Sequence, residues 1–85
     1  MMLKKINEGR VESNTGFSIH ITGLECLKYE DDEHSIEFEW NYDPIAQKTY
    51  IYVSDVKELN DSEKIIIKSN IKEAVKLLDG TFEIV

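Results

Sequence analysis

From Ser35 to Tyr42 the chain alternates without interruption, with Ile36, Phe38, Trp40 and Tyr42 on one side and Glu37, Glu39 and Asn41 on the other. Such period-two patterning is what a strand needs when one face lies on a core and the other in water. The same rhythm runs through "FSIHI", where Phe17, Ile19 and Ile21 alternate with Ser18, His20 and Thr22. "LECLKYE" reads as a further strand with Leu27 and Tyr29 inward. "KTYIYVS" reads as another, with Ile51 and Val53 on one side and Tyr50 and Tyr52 on the other, both partly covered. Turn signals separate these runs: "SNTG" (Ser13 to Gly16), Gly23, "DDEH" (Asp31 to His34), and Asp43-Pro44, where proline lacks the donor that a central ladder position requires. Residues 1–12, interrupted by Gly9, fit either an opening strand or a loose arm.

After Leu59 the period changes. Asn60 and Glu63 have the spacing of a capping box. From about Asp61 to Leu78, the residues Ile67, Ile71, Ala74, Val75 and Leu78 form one stripe at the spacing of a helix lying across a sheet. Lys64, Lys68, Lys72 and Lys76 recur on its flank, where their stems cover apolar surface while the charged heads stay wet. Gly80 supplies the stop and "TFEIV" a short closing strand. The expected architecture is therefore α+β: a mainly antiparallel sheet of four to five strands, one helix across a face, and a final strand. If that strand pairs parallel with the one before the helix, the crossover is expected to be right-handed.

Length limits what this chain can do. Its 85 residues make one domain, 1–85, burying roughly 60–65% of the surface exposed on unfolding. The lone Cys26 allows no internal disulfide, and no apolar run follows Lys4 and Lys5, so the expected compartment is the cytoplasm, with no membrane association. The net charge of −7 is uneven. Residues 25–45 hold Glu25, Glu30, Asp31, Asp32, Glu33, Glu37, Glu39 and Asp43 against Lys28 alone, while the flanking segments nearly balance. Phosphate backbones are bound through cationic side chains, so nucleic acid is excluded as a partner. A basic protein is instead drawn in and oriented by such a field.

No motif demands catalysis. The acids of "DDEH" lack the spacing of a calcium loop and diverge from a tight turn. His20, Cys26 and His34 are irregularly spaced for zinc; His20 is expected to face outward, and His34 sits among acids that favour its protonated form. Acids around Cys26 disfavour its thiolate. Glu37 and Glu39 share a strand face, about 7 Å apart by strand rise, but an open face leaves carboxylates without the separation of pKa values that acid–base catalysis uses. No phosphate-binding loop, G-x-S-x-G or H-E-x-x-H is present. The chain is read as a non-enzyme without metal or cofactor.

The segment "NDSEKIIIKSNIKEAVKLLDGTFEIV", preceded by the L-x-Y strand of Leu27 and Tyr29, resembles the ending of a family of small immunity proteins from bacterial polymorphic toxin systems: an acid-capped helix, a glycine, then a last strand. The resemblance implies neutralisation of a cognate toxin, often a basic nuclease, by covering its active site. Together with the charge map it gives the expected function, an acidic partner-binding protein that engages a basic partner through Glu30, Asp31, Asp32, Glu33, Glu37 and Glu39. Tyr50 and Tyr52 are the candidate aromatic anchors beside them. The alternative is a structural or regulatory homo-oligomer, in its simplest form a homodimer joined through the second sheet face or an edge strand.

Overall fold

Seven strands and one helix carry the chain in the computed structural model, which describes residues 2–23, 26–78 and 80–85. The strands are β1 (Leu3–Asn7), β2 (Arg10–Ser13), β3 (Ser18–Gly23), β4 (Cys26–Glu30), β5 (Ser35–Asp43), β6 (Lys48–Ile51) and β7 (Phe82–Ile84), with helix α1 (Asp61–Val75) between the last two. Their order across the sheet follows their order along the chain. Pairs from β1 to β6 are antiparallel, and β7 joins β6 parallel after the helix.

The α+β class is as expected, but four to five strands is too few. The difference lies at the start, where β1 and β2 form a hairpin in place of an arm. β1 was hard to read because it buries almost nothing: Leu3 is half-buried and Lys4 to Asn7 are exposed. Pairing holds it, through Leu3 opposite Ser13 and Lys5 opposite Val11, so no alternation of burial was available in the sequence.

Side chains directly opposite each other share a sheet face. Val11, Ile19, Tyr29 and Ile36 make one such row across four strands, Ile21, Leu27 and Phe38 a second, and Trp40, Ile51 and Ile84 a third. Ile67, Ile71, Ala74 and Val75 of α1 cover this face. The helix touches both β2 and β7, strands far apart in the sheet order, so the sheet curls around it. Phe17 stacks on Tyr29 with ring centroids 5.9 Å apart. Tyr42 follows the alternation of β5 yet is 52% exposed, which corrects its expected place in the core.

The capping box forms as its spacing requires. Asn60 Oδ1 accepts from the Glu63 N–H at 2.8 Å, and Glu63 Oε1 accepts from the Asn60 N–H at 3.0 Å. Asp61 and Glu63 also place negative charge at the positive end of the helix. At the other end α1 stops at Val75, earlier than expected. Leu77 N–H donates to Ala74 O and Leu78 N–H to Val75 O, both at 3.1 Å, so the last turn tightens while Leu78 stays buried. Gly80 then takes a φ of 115°, a conformation glycine enters freely, and the chain turns back into β7.

The outer face of the sheet is polar. Arg10, His20, Lys28 and Glu37 form one row across four strands, and Lys4, Glu12, Ser18, Glu30 and Ser35 another. Among the described residues, no helix is long and apolar enough to cross a membrane.

Candidate functional site

The β4–β5 hairpin carries the acids singled out in the sequence, and its tight turn sends them in different directions. Asp31 turns inward. Its Oδ1 accepts from the backbone N–H groups of Glu33 at 2.8 Å and His34 at 2.7 Å, which closes the turn. Its Oδ2 accepts from the Tyr29 hydroxyl at 2.7 Å, and that hydroxyl accepts from Asn70 Nδ2 at 3.0 Å. His34 bridges from the turn to the helix, with Nδ1 2.9 Å from Asp31 Oδ1 and Nε2 2.5 Å from Glu63 Oε2. Glu63 thus serves both the cap of α1 and the hairpin. The network borders a cleft of about 290 Å³ closed by Thr15, Gly16, Phe17 and Ile66.

The titration of these groups follows from the contacts. The Glu63 carboxylate first, and Asp31 second, raise the His34 imidazole above its ordinary range, against a smaller cost of burial. For Asp31, burial opposes ionisation, but donors from Tyr29, the Glu33 backbone and His34 together outweigh it and lower its pKa. The Asn60 backbone N–H and then His34 lower that of Glu63. Burial, followed by the hydrogen bond to Asp31, pushes the Tyr29 hydroxyl well above the usual phenol range. An imidazole held between two carboxylates is a doubly donating cation with no free lone pair, so the cluster works as a clasp between sheet and helix.

The sign of its pH dependence is fixed by these directions. The His34 contribution is complete below about pH 6.5, its unfolded value, and is lost as pH rises through its higher folded value. Those of Asp31 and Glu63 are complete above about pH 4.5 and are lost as pH falls through their lowered folded values. Urea titrations across pH are therefore expected to give a plateau between these limits and a fall on both sides. In His34→Gln the fall in stability above about pH 6.5 is expected to flatten; an unchanged alkaline limb would show that His34 is not its source.

The other expected partner-binding residues are distributed as follows. Asp32 and Glu33 project into solvent at the hairpin. Glu30 lies on the outer face with Lys28 Nζ 3.8 Å away. Tyr50 stands half-buried on the outer face, in register with Asn41 and Glu83. Glu37, Glu39 and Tyr52 come together. They line a groove of about 640 Å³ beside the first half of β5, whose opposite wall is the loop carrying Asp55, Val56 and Glu58. Asp55 and Glu58 were not singled out in the sequence, since two acids in an unpatterned loop give no periodic signal.

Glu37, Glu39, Asp55 and Glu58 are all exposed, and none forms an ion pair among the described residues. His20 lies on the outer face in register with Arg10 and Lys28, and Cys26, a free thiol, opposite Glu39. Among the described residues no three His, Cys, Asp or Glu side chains are grouped to hold a metal ion. Comparison of the chain with models of protein families, with curated proteins and with solved structures finds no match.

Proposed function

We propose that the chain is an acidic partner-binding domain that engages a basic protein in the manner of an immunity or antitoxin protein. One observation carries the reading: Glu37, Glu39, Asp55 and Glu58 line a single groove, exposed and forming no ion pair among the described residues, with Lys28 the one cation directly opposite either of the two on β5. Like charges held together in a concave place repel one another, and a cationic surface entering the groove relieves that repulsion while its approach is steered by the field. Asp32 and Glu33 extend the charge toward the hairpin, whereas Asp31 is occupied by the clasp and Glu30 is partly offset by Lys28. The reading is non-enzymatic, requires no cofactor, and places the protein in the cytoplasm, a compartment that suits the free Cys26.

The test is binding to a basic protein, for which the product of the gene immediately upstream is the first choice because an immunity protein follows its toxin. Reversing Glu37 and Glu39 to lysine is expected to weaken that binding by roughly tenfold or more at low salt. Equal binding by the reversed variant would remove the groove from the interface.

Self-association is the second reading, favoured by Ile65 and Ile66. They lie side by side on the outside of α1, 69% and 60% exposed. Light scattering that returns a strict monomer would exclude it.

A further inference from the structure

A strand leaves its backbone donors and acceptors unpaired wherever the neighbouring strand ends before it does. Among the described residues such edges include the outer sides of β1 and β7, and the side of β5 facing away from β4 over Ser35–Phe38. The first two are protected. β1 carries Lys4 and Lys5 and a register shift before Asn7, and β7 has only three residues.

The β5 edge is different. Its pairing with β4 runs through five consecutive positions, Ser35 to Glu39, without a shift, so this half of the strand is regular. β6 accompanies β5 only from Trp40 onward, with one further bond from Tyr52 N–H to Glu39 O at 3.2 Å. That bond fixes the direction of the backbone groups. The Glu39 carbonyl points away from β4; groups alternate along a strand, so the N–H and C=O of Glu37 and Ser35 point the same way, into the groove. The bond from Asp31 N–H to His34 O on the opposite side agrees with this alternation.

Groove and edge therefore coincide, and the side chains around them specify what fits. Glu37 and Glu39 stand on the outer side, while Ile36 and Phe38 point inward, and Val56 faces them from the loop. Tyr52 already stands beside Glu39, so a strand laid along Ser35–Phe38 places two outer side chains, two residues apart, opposite Ser35 and Glu37, the latter also diagonal to Glu39, and the one between them opposite Ile36 and near Val56. The matching segment alternates cationic, apolar, cationic. β1 of a second copy does not match, because Lys4 and Lys5 are adjacent and so point to opposite faces.

We propose that the groove along Ser35–Glu39 receives an extended segment of the basic partner as an added strand, main-chain hydrogen bonds supplying attachment and alternate Lys or Arg side chains supplying selectivity. This rests on the reading of the protein as an acidic partner-binding domain and adds to it a mode of attachment.

The test uses a capped Arg-Val-Arg-Val-Arg peptide and two N-methylated forms of it, one methylated on the arginine amides and one on the valine amides. Only one of these sets faces β5. The parent peptide is expected to bind the wild-type protein at low salt and to slow hydrogen exchange at the Glu37 amide. One methylated form is expected to lose roughly tenfold or more in affinity, while the other stays within about twofold. Two methylated forms that bind like the parent would overturn strand addition and leave charge attraction standing. Failure of the parent to bind, or equal binding to the variant carrying Glu37→Lys and Glu39→Lys, would overturn both. Dimerisation of the protein that the peptide reverses would assign the edge to a second copy and so overturn the proposed occupant.

Discussion

Phe38→Ala is expected to lower the stability of the fold by about 3–5 kcal/mol. Phe38 is 1% exposed at the middle of β5, opposite Leu27, on the strand that joins the β1–β4 part of the sheet to β6 and β7. Truncation removes both the transfer free energy of the ring and the contacts around the space it leaves. A domain of this size has in total roughly 4–13 kcal/mol, taking about 0.05–0.15 kcal/mol per residue, so the variant is expected to stand at the margin of folding. Equilibrium urea unfolding gives the change directly. Phe38→Leu, which keeps most of the buried volume, should lose markedly less. A loss within about 1 kcal/mol for Phe38→Ala would mean that the inner face of β5 is not the packed centre described above.

Tyr29→Phe is expected to cost about 1.5–3 kcal/mol, the range for a hydrogen bond to a charged group. The buried ring and its stacking on Phe17 survive the change. What is lost is a hydroxyl that donates to Asp31 and accepts from Asn70, joining β4 to its own turn and to α1. The change also has a signature in acid. Without its hydroxyl donor the Asp31 carboxyl moves back toward its ordinary range, so the acid fall in stability should shift to higher pH. Asn70→Ala removes only the helix side of the bond and is expected to leave the acid limb nearly in place. If Tyr29→Phe shifts neither the urea midpoint nor that limb, the hydroxyl does not hold the clasp.

What could be read from the sequence was what is local along the chain. Alternation from Ser35 to Trp40 identified β5 because a half-buried strand writes its burial into every second residue. Asn60 and Glu63 identified the start of α1 because a capping box closes within four residues. The helix end was set too late, at Leu78, since burial continues through the tightened turn after Val75 and apolar spacing cannot distinguish the two. β1 left no pattern because an edge strand without a buried face has none to leave. The clasp was hidden by distance: His34 was correctly read as favouring its charged form, but its second carboxylate stands in the helix cap. Tyr29 and Asn70 likewise meet only through the fold. The groove was half legible, with Glu37 and Glu39 named and Asp55 and Glu58 missed.

Because neighbours in the sheet are, from β1 to β6, neighbours along the chain, most pairings close loops of only a few residues. Ordering such loops costs little chain entropy before contacts compensate for it. The exception is the meeting of β6 with β7, which waits for the whole of α1 and its cap. The early meander can therefore assemble by zippering from its turns, whereas Ile84 meets Ile51 across the longest closure between paired strands, and the helix reaches back to β2 across a longer one still.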